Sequence, residues 1–157
     1  MTTISPCLWF DRDAEEAARF YVSIFPDSRI DLLQRAPGDW PAGKAGDVVM
    51  VEFTLAGQRY HALNGGGKQS GGLAVSLMAT CRDQAEVDRI WDGLLQGGEP
   101  MQCGWLRDRY GFAWQVVPEA MLRYLADSDP ARARRAWDAM MTMVKLDIAA
   151  LQAAVEG

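Results

Sequence analysis

The sequence predicts an α+β fold made of two β-α-β-β-β modules, and three observations predict it. Two stretches 70 residues apart repeat one another: Phe10-Asp11-Arg12-Asp13-Ala14-Glu15-Glu16-Ala17-Ala18-Arg19-Phe20-Tyr21 lies over Thr80-Cys81-Arg82-Asp83-Gln84-Ala85-Glu86-Val87-Asp88-Arg89-Ile90-Trp91. Arginine, aspartate, glutamate, arginine and an aromatic recur in step (Arg12/Arg82, Asp13/Asp83, Glu16/Glu86, Arg19/Arg89, Tyr21/Trp91). Each copy follows an apolar run of strand character, Ile4 to Phe10 and Leu73 to Cys81. Each helix is then followed by further strand-like segments separated by turn residues.

The helix starts are read from their caps. Asp13 and Asp83 each precede a helical pattern, with Glu16 and Glu86 three residues on, a variant of the capping box. The first helix is expected from Ala14 to Phe25, with Ala14, Ala17, Ala18, Tyr21, Ile24 and Phe25 on one face, and Pro26-Asp27-Ser28 stops it. Strands follow at Ile30 to Ala36 and Val48 to Leu55, with Ala56-Gly57-Gln58 turning into Arg59 to Asn64. The first module is therefore 1–64, and the glycine-rich stretch 65–72 reads as a flexible linker. The second module, 73–117, has a helix from Gln84 to Gln96, a strand or strand pair in Glu99 to Leu106, a turn at Asp108 to Gly111 and a last strand from Phe112 to Val117. Residues 118–157 read as a helical extension. Pro118 and Pro130 suit first helical positions, Asp129 is placed to cap, and Ala133, Trp137, Met140, Met141 and Val144 form an apolar stripe.

Composition narrows the function classes. The 157 residues are 49% hydrophobic and 24% charged, which suits one packed domain or two small modules sharing a core. A net charge of −5 argues against unaided binding to nucleic acid or an anionic membrane. No apolar run reaches a spanning length of about 18 residues. The N-terminus lacks a basic, apolar leader. Cys7, Cys81 and Cys103 are an odd set without CxxC spacing, so the expectation is a cytoplasmic chain with reduced thiols.

Several strings resemble one superfamily. They are Leu8-Trp9-Phe10-Asp11, Phe20-Tyr21-x-x-Ile24-Phe25-Pro26, Ala62-Leu63-Asn64-Gly65-Gly66, and the run Cys103-Gly104-Trp105-Leu106-x-Asp108-x-Tyr110-Gly111-x-x-Trp114-Gln115-Val116-Val117-Pro118, with Lys145-Leu146-Asp147-Ile148 near the end. The pattern resembles the vicinal oxygen chelate superfamily of glyoxalase I, bleomycin-resistance proteins and extradiol dioxygenases. Within it the chain is similar to the PhnB-like branch, often labelled a 3-demethylubiquinone-9 3-methyltransferase domain. The resemblance implies that each module curls into half of an open barrel, with ligand and metal in a cleft between halves. No residue supports the methyltransferase label: no glycine-rich strand-to-helix turn is followed by an acidic residue of the kind that nucleotide cofactors use.

The same resemblance implies four ligand positions, on the first and last strand of each module. Counting from the caps and turn glycines assigns them to Pro6, His61, Ser76 and Gln115. One imidazole, one amide, one hydroxyl and a proline make a poor metal set, and His61 is the only histidine. No metal or other cofactor is therefore expected. His61 is either a satisfied strand residue or an acid/base group. Asn64 either holds a turn or presents its amide to a ligand. Gln115 is either a recognition group or a structural hydrogen bonder. Leu8 and Trp105 complete the expected ligand-binding set of Pro6, Leu8, His61, Asn64, Ser76, Trp105 and Gln115, although Trp9, Trp105 and Trp114 also suit a core or interface.

The preferred reading is a metal-independent protein that binds an unidentified small molecule, as a homodimer. One alternative is a lyase or isomerase in which His61 moves a proton while Gln115 and Ser76 orient the substrate. The other is a resistance protein that sequesters a drug between tryptophans. Fold resemblance does not choose among them.

Overall fold

The structure is a computed structural model describing residues 1–69 and 72–157. The chain divides into two compact units, Met1–Ser70 and Gly71–Gly157. Ser70 and Gly71, the end of the expected linker, lie outside the described residues. Gly65, Gly66 and Gly67 do not hang free. The Gly65 N–H donates to the Phe10 carbonyl (3.0 Å), the Trp9 indole to the Gly66 carbonyl (3.2 Å), and the Gly67 N–H to Asp11 (2.9 Å).

Unit 1 runs β1 (Cys7–Phe10), α1 (Ala14–Ile24), β2 (Arg29–Arg35), β3 (Val48–Leu55) and β4 (Gln58–Asn64). Its four strands lie in the order β1-β4-β3-β2, with β1 parallel to β4 and the other pairs antiparallel. Ala14, Ala17, Ala18, Tyr21 and Ile24 are buried, one face of α1 as the spacing predicts. Small alanines let the helix approach the sheet closely, and Tyr21 stacks on Phe53, which in turn stacks on Tyr60. Phe25 is not helical; it takes extended backbone as the C-cap ahead of Pro26, which disfavours helix in the residue before it. Between β3 and β4, Ala56 (φ 46) and Gly57 (φ 82) give the left-handed pair that a two-residue hairpin needs.

Unit 2 repeats the scheme with β5 (Leu77–Cys81), α2 (Gln84–Leu95), β6 (Glu99–Pro100), β7 (Trp105–Arg107) and β8 (Ala113–Pro118), in the order β5-β8-β7-β6. Neither four-stranded sheet closes into a barrel. The first strands are shorter than expected, because only Cys7–Phe10 and Leu77–Cys81 find ladder partners on β4 and β8. Val87, Ile90, Trp91 and Leu94 form the buried face of α2, and burying each such side chain contributes about 1.5–3 kcal/mol.

Three helices follow, α3 (Glu119–Leu125), α4 (Pro130–Met140) and α5 (Ile148–Glu156). Pro118 is the N-cap of α3 rather than its first residue, whereas Pro130 opens α4 behind Asp129, which accepts from the Ala131 N–H (2.9 Å). These helices share a core of Val117, Met121, Met140, Leu146 and Leu151. The expected apolar stripe is split: Met140 is buried while Trp137, Met141 and Val144 stay exposed. Arg135 is not simply solvated, since its guanidinium donates to the Val155 carbonyl (2.8 Å) and holds the C-terminal end of α5. Among the described residues no helix is long and apolar enough to cross a membrane, and the three cysteines are unpaired.

Candidate functional site

Strand alternation sorts the side chains of unit 1 onto two faces. Leu8 and Phe10 are buried, as are Ala62 and Asn64, while Cys7, Trp9, His61 and Leu63 turn to the other side. His61 sits in mid-sheet, paired with Cys7 on β1 and Glu52 on β3. Its Nδ1 lies 2.8 Å from the Ser5 hydroxyl and its Nε2 3.8 Å from a Glu52 carboxylate oxygen. The first is a hydrogen bond; the second is too long for one but within reach of ionic attraction. The three residues make a hydroxyl–imidazole–carboxylate row in which Ser5 bonds one ring nitrogen and Glu52 faces the other. Burial pushes the Cys7 thiol up, so the uncharged thiol flanks the imidazole.

Pro6 enters this arrangement only through its backbone, its carbonyl accepting the His61 N–H (2.9 Å). The side chain at the expected position belongs to Ser5. Between strand and cap the first copy has one residue more than the second: Cys7 pairs with His61 and precedes Asp13 by six, whereas Met78 pairs with Gln115 and precedes Asp83 by five. Counting back from the caps therefore lands one residue late in the first copy. The two sheet registers, not the caps, would have found Ser5.

Leu8 and Asn64 are on the opposite face from His61. Leu8 is in the core. Asn64 is buried with its amide fully used: Oδ1 accepts the Ala14 N–H (2.9 Å) and Nδ2 donates to the Val48 carbonyl (2.9 Å). Its own carbonyl accepts the Trp40 indole N–H (3.1 Å). Asn64 thus ties the end of β4 to the start of α1.

In unit 2, Ser76, Trp105 and Gln115 come together. Gln115 lies in β8 between Met78 and Trp105, and its amide donates to the Ser76 hydroxyl (3.0 Å). Trp105 also lines an open groove of about 560 Å³ with Leu73, Pro100, Met101, Gln102 and Cys103. Ala113 and Val117 share the face of Gln115 but are buried, Val117 in the C-terminal helical core. Trp114 turns the other way. It is buried, and its indole donates to Asp108 (2.8 Å). Asp108 also accepts the Tyr110 and Phe112 N–H groups, so it organises the β7–β8 turn.

The two units thus carry equivalent polar pairs, Ser5–His61 and Ser76–Gln115, each joining the last strand to the segment leading into the first. Among the described residues no three or more His, Cys, Asp or Glu side chains are grouped to hold a metal ion.

Residues 2–117 match the family described as 3-demethylubiquinone-9 3-methyltransferase. A solved structure from Bacillus cereus, a putative 3-demethylubiquinone-9 3-methyltransferase called PhnB protein, is 32% identical, with 74% of this chain and 99% of that chain covered and a TM-score of 0.67. A Pseudomonas aeruginosa protein shares the fold at 18% identity, 76% and 98% coverage and TM-score 0.64. The fosfomycin resistance protein FosX of Mesorhizobium loti does so at 14% identity, 80% and 98% coverage and TM-score 0.57. No curated protein matches the chain.

Proposed function

We propose that this chain, which belongs to the 3-demethylubiquinone-9 3-methyltransferase family in its PhnB-like branch, is a small-molecule-binding protein that works without a metal ion. The observation that carries the reading is the pair of matched contacts, Ser5–His61 and Ser76–Gln115, each joining a half-buried strand residue to a half-buried serine just before a first strand. Each offers a polar group on a surface otherwise rich in apolar side chains (Trp9, Leu63, Met78, Trp105), the composition of small-ligand sites. The four residues supply one imidazole, one amide and two hydroxyls, short of the three strong donors of a catalytic zinc site. The exposed Trp137, Met141 and Val144 support a homodimer that covers them.

Native mass spectrometry of untagged protein tests ligand, metal and assembly together. The expected species is a dimer of 17.4 kDa chains carrying a small organic mass and no stoichiometric metal. His61→Ala and Gln115→Ala should lose that mass and keep the fold. One equivalent of a transition metal, or an unchanged ligand in both variants, would refute the reading.

A second reading, an enzyme of lyase or isomerase type, draws on Glu52. Its carboxylate lies 3.8 Å from Nε2, on the far side of the ring from Ser5, where a group that takes part in proton transfer would sit. Turnover that depends on pH and disappears in His61→Ala would favour it over simple binding.

A further inference from the structure

The repeat supplies its own control for a second site. In unit 2, Arg82 is used locally, with its guanidinium 3.6 Å from Glu86. Its counterpart Arg12 makes no hydrogen bond or ion pair with any described residue. Arg12 instead stands at the mouth of a cavity of about 530 Å³, within the usual range for small-molecule sites. That cavity shares no lining residue with the His61 face.

Its outer wall is the β2–β3 loop, residues 36–47, which has no equivalent in unit 2, where only residues 101–104 join β6 to β7. The loop is preorganised. Trp40 and Gly43 exchange backbone hydrogen bonds (both 3.1 Å), and Trp40 is pinned through its indole to Asn64. A Cβ on Gly43 would collide with the Trp40 ring, so glycine is what lets the ring lie flat there. Asp39 accepts from the Ala45 N–H and the Lys44 ammonium, and Asp47 from the Lys44 N–H.

Two of the four charges lining the cavity are paired. Glu15 is paired with Arg19 (2.8 Å) and Lys44 with Asp39 (3.1 Å). Two opposite charges remain without an ionic partner among the described residues, the Arg12 guanidinium and the Asp47 carboxylate. The same cavity is lined by the side chains of Trp40, Pro41, Ala42 and Val48, one of them aromatic.

We propose that this cavity binds a small zwitterion of the α-amino-acid class, its carboxylate on Arg12, its ammonium on Asp47 and its apolar side chain against Trp40. Guanidinium matches carboxylate in a two-point hydrogen bond, and an ammonium beside Asp47 and an indole gains from both charge and ring. A simple anion would leave Asp47 repelling it, and a simple cation would leave Arg12 doing so.

Titration of the whole protein with L-phenylalanine, followed by NMR, tests this, with 3-phenylpropionate and phenethylamine as probes lacking one charge each. Saturable shifts are expected at the amides of Gly43 and Gly46 with phenylalanine, and weak or no response to the other two. Arg12→Gln and Asp47→Asn should each raise Kd by about tenfold or more, ~1.4 kcal/mol, while Arg82→Gln leaves it unchanged. The variants remove no packing, so their melting temperatures should match the wild type. Equal binding of a singly charged probe, undiminished affinity in either variant, or no saturable shift with millimolar phenylalanine would overturn the proposal.

Discussion

The two modules share strand order and the charged residues around their helix starts, yet differ along the paired first and last strands. Phe10 of the first corresponds to Cys81 of the second, Tyr60 to Trp114, His61 to Gln115 and Asn64 to Pro118, as the paired β1–β4 and β5–β8 ladders show. Unit 1 carries long strands, β2 to β4 having seven, eight and seven residues, while β6 and β7 have two and three. Unit 2 compensates with a turn organised on Asp108 and a helical core built on Val117. The comparison teaches that the repeat conserves geometry and reassigns chemistry. One backbone plan holds an imidazole in one copy and an amide in the other.

The largest expected effect tests that reassignment in the core. Trp114 is 3% exposed and hydrogen-bonded to the buried Asp108, whereas its counterpart Tyr60 is half-buried against Phe53. Trp114→Ala should destabilise by about 3–5 kcal/mol, the cost of a large aromatic removed from a core. Tyr60→Ala should cost clearly less, because part of its ring is already in water. Urea denaturation of both variants checks the ranking, and equal losses would show that the two positions are not differentiated.

A second contrast is chemical. Phe10 has nothing to ionise, but the Cys81 thiol is pushed up from 9.0 to about 12, chiefly by burial and then by the nearby Glu86 carboxylate. An acid whose folded pKa exceeds its unfolded value loses stability as pH climbs from the unfolded value to the folded one. Unit 2 should therefore weaken between about pH 9 and pH 12, by up to about 4 kcal/mol at the top of the window. Cys81→Ala should remove that component and flatten the alkaline decline in melting temperature. If wild type and variant decline in parallel, burial of this thiol is not what limits alkaline stability.

Much of the architecture was legible because it rests on periodicity. The spacing of Val87, Ile90, Trp91 and Leu94 gave α2 to within a residue, and Val48–Leu55 was read with both ends correct. Strand ends were harder to read: Leu73 to Ser76 has a strand's composition but no neighbour to pair with, and pairing is not local information. The candidate site was legible in part. His61 and Gln115 stand out as residue types, and counting reaches Ser76, whose hydroxyl the Gln115 amide meets. Ser5 was missed because a one-residue offset separates cap from strand in the first copy. Glu52 was missed because only the β3–β4 register brings it beside His61. Leu8, expected at a ligand, and Asn64, expected either at a ligand or in a turn, lie by strand alternation on the helix side.

The last contrast, which includes the smallest effect, concerns the two helix starts, which the sequence writes alike and the structure builds differently. At α2 the cap forms: the Asp83 carboxylate accepts the Glu86 N–H (2.9 Å), while Glu86 reaches back one residue beyond the cap and accepts the Arg82 N–H (2.8 Å). At α1 the Asp13 side chain makes no cap bond, and its backbone (φ −105, ψ 23) is not the extended form that a capping residue takes. The helix-start donor there, the buried Ala14 N–H, is taken by Asn64 from the end of β4. Unit 2 has Pro118 at that place, which offers no side-chain acceptor, so α2 must cap itself. Asn64→Ala should then cost about 2–6 kcal/mol, since it strands the buried Ala14 N–H and the Val48 carbonyl, each worth about 1–3 kcal/mol. Asp83→Ala should cost about 1 kcal/mol, the usual value of an N-cap. Asp13→Ala should cost under about 0.5 kcal/mol, like a surface change away from any such feature. Hydrogen exchange at the Ala14 and Glu86 amides separates the two ends: Asn64→Ala should speed only the first and Asp83→Ala only the second. A loss in Asp13→Ala as large as that in Asp83→Ala would mean that both copies cap by the same device after all.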